Sequence, residues 1–105
     1  MKSTLELPNV AAMSGLIAEH DLPAALARVP GWTLEGREIV HIFVHPDFAA
    51  ALAFVNRVGA LAEEANHHPD IDIRWNKVTL RLSTHSKGGL TTLDFDLAAQ
   101  IDRAA

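Results

Sequence analysis

Apolar residues recur at two spacings in this chain, and the switches between them divide it into elements. From Pro46-Asp47 onward, Phe48, Ala51, Leu52, Val55, Val58, Leu61 and Ala62 follow the i, i+3, i+4, i+7 rule, which predicts a long amphipathic helix reaching about His67. Pro69 disfavours helical backbone at His68, so the chain turns extended there. Ile71 and Ile73 then alternate with Asp72 and Arg74, and Trp75 continues the apolar set of a half-buried strand. Its predicted partner alternates Val78, Leu80 and Leu82 with Thr79, Arg81 and Ser83, crosses a turn at Asn76-Lys77, and ends near His85. Upstream, Trp32-Thr33-Leu34 and the run from Glu38 to His45 read as a first strand pair joined at Glu35-Gly36-Arg37, the second strand being rich in β-branched and aromatic residues. Downstream, Ser86-Lys87-Gly88-Gly89 is a loop. Thr91 with Asp94 then forms a capping box, and Leu90 with Phe95 a hydrophobic staple. They open a last helix from about Thr92 to Arg103 that packs Leu93, Leu97 and Ile101.

The first thirty residues form a weakly defined helical region. Val10, Met13, Leu16 and Ile17 keep helical spacing, but Gly15 interrupts them. Asp21 before Leu22-Pro23-Ala24-Ala25-Leu26-Ala27 predicts a short helix, with an acid at its N-cap and proline just inside, that stops before Pro30-Gly31. The resulting order is α-β-β-α-β-β-α. Hairpins in place of alternating β-α units imply an α+β fold, a four-stranded antiparallel sheet with helices packed on one face. At 105 residues, without repeat or linker, residues 1–105 are expected to make a single domain.

Composition narrows the class of function. With 49% hydrophobic and 21% charged residues the chain has the balance of a soluble globular protein. A net charge of −4 argues against a direct nucleic-acid partner gripped through its phosphates, which requires a basic face. No apolar run approaches the roughly 18 residues that span a bilayer, and the N-terminus has no signal-peptide core. The absence of cysteine excludes disulfides and thiolate metal sites and fits a reducing compartment, so the expected location is cytoplasmic. A domain this small has a marginal core, and self-association would help it.

Candidate chemistry is concentrated in histidine. Three of the six histidines, His67, His68 and His85, fall within one short window. Imidazole is the side chain whose ordinary pKa lies nearest neutrality, which suits proton transfer. Glu63 lies four residues before His67, so on a continuous helix the two share a face and the carboxylate fixes the ring tautomer. An antiparallel hairpin over 70–84 brings its ends together, which makes His67, His68 and His85 neighbours. Asp94 begins the next helix. A zinc site is disfavoured, because adjacent ligands at a helix end converge poorly on one ion and no His-Glu-x-x-His pair exists.

Glu63, His67-His68-Pro69, Trp75, Thr84-His85 and Asp94, together with the Asp47-Phe48 helix start and the Gly88-Gly89-Leu90-Thr91 loop, resemble the pterin-4a-carbinolamine dehydratases over roughly Trp32 to Ile101. The resemblance implies an α+β subunit that dehydrates 4a-hydroxytetrahydropterin to quinonoid dihydropterin, the tetrahydrobiopterin recycling step after aromatic amino-acid hydroxylation. It implies Glu63, His67, His68, His85 and Asp94 as catalytic residues, and His68, Pro69, Trp75 and Thr84 as substrate contacts. No metal or organic cofactor is implied, since the pterin is the substrate. A homodimer or homotetramer and a functional link to an aromatic amino-acid hydroxylase are further implications. Residues 1–30 lie outside the motif and inherit nothing.

Duller readings stand beside these. Histidines at a helix C-terminus are favoured by its dipole, Asp94 is explained by capping alone, Glu63 by solvent, and Trp75 by packing. His20, His41 and His45, outside the motif, read as surface or strand-edge residues. The alanine-rich long helix suits close helix packing. The competing functions are a non-catalytic pterin-binding or assembly module, as for family members that act as dimerisation cofactors, and dehydratase-like action on another pterin, as in molybdenum-cofactor metabolism.

Overall fold

In the computed structural model, which describes residues 15–105, a four-stranded antiparallel sheet carries its helices on one face. A 3-10 turn (Glu19–Asp21) leads into α1 (Leu22–Ala27), followed by β1 (Thr33–Glu35), β2 (Glu38–Val44), α2 (Phe48–Ala65), β3 (Asp70–Arg74), β4 (Lys77–Leu82) and α3 (Thr92–Ala104). The sheet order is β1-β2-β4-β3, so the last strand of each hairpin is central and β1 and β3 form the edges. The predicted α-β-β-α-β-β-α order holds. Val10 and Met13 lie outside the described residues. Among the described residues, no helix is long and apolar enough to cross a membrane.

Register explains which side chains are buried. Ile39 pairs with Leu82, His41 with Leu80, and Phe43 with Val78, so these residues share one side of the sheet. Ile39, Phe43, Val78, Leu80 and Leu82 pack there with Phe54 and Val58 of α2 and Phe95, Leu97 and Ile101 of α3 in one core. Fully burying a side chain of this class contributes about 1.5–3 kcal/mol. Ile42 and Val44 alternate to the other side and remain exposed. Helix ends follow local chemistry. Asp47 caps α2 by accepting from the Ala50 N–H at 2.8 Å, which satisfies one of the first-turn donors. Asp21, expected to cap α1, makes no capping hydrogen bond, because it closes the preceding 3-10 turn in helical conformation.

The second hairpin turns one residue earlier than its alternation predicts. Arg74 pairs with Lys77, which leaves Trp75-Asn76 as a two-residue link. Asn76 accounts for the shift, since its Nδ2 donates to the His45 carbonyl at 2.8 Å and its own carbonyl accepts from the His45 N–H at 2.8 Å. That clasp to the end of β2 forces Trp75 to φ 50°, a left-handed conformation costing a bulky residue roughly 1–2 kcal/mol.

His41 departs from its expected place at the surface or strand edge. Between Ile39 and Phe43 in the alternation, it faces the helices half-buried, edge-on to Trp32 and stacked within 3.8 Å of the Phe43 ring centre. Its Nδ1 lies 3.7 Å from Asp102 Oδ1, the oxygen that accepts from Trp32 Nε1 at 2.9 Å. Gly31 is required here, because a Cβ would sit 2.6 Å from His41 Cε1. His45, just past β2, lays its ring on Phe54, whereas His20 is exposed as expected.

Burial pushes the His41 ring below its ordinary value of 6.5, with Asp102 opposing the shift. The unfolded ring therefore binds a proton where the folded ring resists it, so His41 makes stability fall as pH drops through and below about 6.5. Urea unfolding at about pH 7.5 and about pH 5.5 is expected to show a smaller acid loss in His41→Phe than in the wild type. Equal losses would exclude His41 as the group responsible.

Candidate active site

The end of α2 decides the geometry. Asn66 follows the helix in left-handed conformation, at φ 51° and ψ 43°. Its N–H donates to the Glu63 carbonyl at 3.2 Å, and the His67 N–H donates back to the Ala62 carbonyl at 3.1 Å, a Schellman closure. The helix thus stops at Ala65, short of the predicted His67, and the reversal at Asn66 sends His67 inward and His68 outward. Asparagine is among the few residues that adopt this conformation readily, so it was the available signal for the earlier stop.

The reversal re-pairs the acids. Helical spacing predicted Glu63 against His67. Instead Glu63 Oε2 meets His68 Nε2 at 2.5 Å, and both side chains are largely exposed. An exposed pair of this kind contributes little stability. His67 is 8% exposed and bonds through Nε2 to Asp94 Oδ1 at 2.6 Å. Asp94 therefore holds His67, and it also holds the loop before α3.

Asp94 is wholly buried and its second oxygen is fully engaged. Oδ2 accepts from Thr84 Oγ1 at 2.9 Å and from the Thr91 N–H at 2.9 Å. Thr84 spends its hydroxyl proton on that carboxylate, so the 2.8 Å contact between the threonines has Thr91 donating. Thr91 Oγ1 in turn accepts from the Leu93 N–H. The predicted capping box is present, and the same carboxylate that completes it grips the imidazole. The N-terminal dipole of α3 adds favourable potential at this anion. Thr84, expected at the substrate, is buried with its donor committed, which places it behind the site.

An ionised carboxylate only accepts, so the His67 Nε2 carries a proton and Nδ1 is the ring nitrogen left for a ligand. His85 is exposed at the start of a 3-10 turn (His85–Lys87), one residue past Thr84. His67 and the neighbour of His85 thus bind opposite oxygens of one carboxylate, and His68 follows directly with its ring exposed. Pro69, partly buried, turns the chain toward β3. Trp75 does not join them within one subunit. It stands five residues beyond the start of β3, roughly 16 Å along the strand, and is 66% exposed at the hairpin tip. This constellation holds one imidazole in a fixed tautomer and leaves two accessible near the same junction, groups able to move protons.

The family model described as Pterin 4 alpha carbinolamine dehydratase matches residues 16–104. A Roseiflexus castenholzii protein with the provisional name pterin-4-alpha-carbinolamine dehydratase is 57% identical over 90 residues, covering 86% of this chain and 97% of its own. A Nocardia farcinica protein with the same provisional name is 52% identical over 90 residues, covering 86% of this chain and 95% of its own. The crystal structure of a transcriptional coactivator/pterin dehydratase from Brucella melitensis superposes with TM-score 0.80 at 33% identity, over 85% of this chain and 97% of that one. A pterin dehydratase-like RuBisCO assembly factor of the alpha-carboxysome shares the fold, with TM-score 0.58 at 24% identity, over 70% of this chain and 86% of that one.

Asp94→Asn tests the carboxylate directly. Its amide oxygen can take over the Oδ2 bonds, which leaves –NH2 facing His67 and demands the opposite ring tautomer. The variant is expected to lose about 1–3 kcal/mol by urea unfolding. Nitrogen-15 spectra should show the His67 proton moved from Nε2 to Nδ1. An unmoved proton would mean that Asp94 does not set the tautomer.

Proposed function

We propose that this chain, which belongs to the pterin 4 alpha carbinolamine dehydratase family, converts a 4a-hydroxytetrahydropterin to the quinonoid dihydropterin and water. The observation that carries this reading is a buried imidazole locked to Asp94, whose other oxygen binds Thr84 next to the exposed His85, with the exposed His68 following His67 in the chain. In the reaction the C–O bond of the carbinolamine breaks with its electrons going to oxygen. The lone pair of the neighbouring ring nitrogen closes a C=N bond, that nitrogen loses its proton, and the departing hydroxide gains one. The step is redox-neutral and is complete with two proton transfers.

His67 takes the proton from the ring nitrogen through Nδ1, since Nε2 is spent on Asp94. His85 delivers one to the leaving oxygen. His68, steadied by Glu63, positions the pterin. Proton transfer by a placed side chain is worth about 10²–10⁴-fold each. The pathway role that fits is tetrahydrobiopterin recycling beside an aromatic amino-acid hydroxylase. All three histidines of the motif are present, which favours catalysis over a binding-only assembly module.

The working form we propose is a homodimer or homotetramer. Along α2, Phe48 and Leu52 are 47% and 40% exposed, and Val55 and Gly59 continue their line at helical spacing. Such a stripe suits packing against a second copy.

In a coupled hydroxylase assay, His67→Ala and His85→Ala are each expected to lower turnover at least about tenfold with the circular dichroism spectrum unchanged. Wild-type rates in both would remove the assigned roles. Leu52→Glu is expected to reduce the mass measured by light scattering. An unchanged mass would show that this stripe does not hold the copies together.

A further inference from the structure

A cavity of about 460 Å³ opens beside the loop that follows His85, within the roughly 300–1,000 Å³ range of small-molecule sites. Its floor includes Leu16, Leu22, Leu34 and Leu90, drawn from the N-terminal segment, α1, β1 and the loop before α3. Arg37 and Lys87 stand in the same lining. His67, His68 and His85 are not among its lining residues, so it is separate from the candidate active site.

Two features specify what would fill it. Leu16 and Leu34 remain 39% and 41% exposed, apolar surface that a ligand body would cover. Among the described residues Arg37, Arg57, Lys77, Lys87 and Arg103 hold no carboxylate, and of these five Arg37 and Lys87 line the cavity. In a chain of net charge −4, two cations from different elements, without a carboxylate partner among the described residues, line one apolar hollow. Lys87 is braced there, its Cε lying 3.5 Å from where a Cβ on Gly15 would stand. The lining contains no acid that would accept a cation.

We infer that this cavity is a second small-molecule site, for a compound with a compact apolar body and a single anionic head. The apolar body lies on the leucines. The head, carboxylate or phosphate, is held by the Arg37 guanidinium and the Lys87 ammonium through charge-assisted hydrogen bonds. The wall of the site is tied to the active-site network. The Ile17 N–H donates to the Leu90 carbonyl at 2.9 Å, Leu16 pairs with Thr91, and Thr91 donates to Asp94. An occupant therefore packs against the loop before α3, whose Thr91 supports the Asp94–His67 pair.

Octanoate, octyl phosphate and octanol are titrated into the full chain while amide proton–nitrogen shifts are followed, a measurement independent of turnover. At least one of the two anions is expected to give saturable shifts at Leu34, Lys87, Gly88 and Leu90, and which binds tighter distinguishes a carboxylate from a phosphate head. Octanol is expected to bind at least about tenfold more weakly. The double variant Arg37→Gln with Lys87→Gln is expected to lose about tenfold in anion affinity with an otherwise unchanged spectrum, and Arg37→Lys with Lys87→Arg to restore it. The inference is overturned by any one of four results: no saturation by either anion up to roughly 10 mM, octanol binding as tightly as the anions, the glutamine variant binding normally, or shifts centred on His67 and His85.

Discussion

A carboxylate removed from water must be met by donors or it costs several kcal/mol, and among the described residues Asp94 is the wholly buried acid. Its donors come from three directions: the ring of His67 after α2, the hydroxyl of Thr84 after β4, and the backbone of Thr91 at the start of α3. Among the described residues, the buried histidine, threonine and aspartate side chains all belong to this one network. Satisfying the charge therefore fixes where three chain segments meet, and the candidate active site is built at that junction.

The arrangement separates a buried network from exposed rings. Asp94, Thr84 and Thr91 are buried and keep His67 in one tautomer. His68 and His85 have their rings free to meet a ligand, with Glu63 steadying only the former. The strained turn at Trp75 lies far from this junction, and its cause is the clasp of Asn76 on the end of β2. The apolar core beneath the sheet provides the rigidity, because its residues come from both hairpins and both long helices.

Family membership and geometry support the same reading. The match over residues 16–104 spans every element from α1 to α3, and the Brucella melitensis structure reproduces the fold over 97% of its own length. The relatives carry the dehydratase name provisionally, and in this chain the Asp94–His67 pair lies buried within the matched region. The segment at Leu16–Ile17 extends the network outward, since it is hydrogen-bonded to the same loop whose other side holds the carboxylate.

Much of this was legible in the residues alone, because periodicity, caps and turn preferences act over a few positions. Alternation at Ile71–Arg74 and Val78–Ser83 gave the second hairpin, the 3.6-residue stripe from Phe48 gave α2, and Thr91 with Asp94 gave the start of α3. The spacing of histidines and acids also marked the window in which His67 and Asp94 meet. Which acid meets which histidine was not legible. A single left-handed residue at Asn66 reverses the faces of everything after it, so Glu63 meets His68 and leaves His67 to an aspartate 27 positions away. The same limit hid the inward turn of His41, which depends on its register opposite Leu80, and the distance of Trp75 from the histidines. Local patterning sets which segments form. Partners between distant segments are chosen by chain reversals and by the need to satisfy a buried charge, and those exist only in the folded molecule.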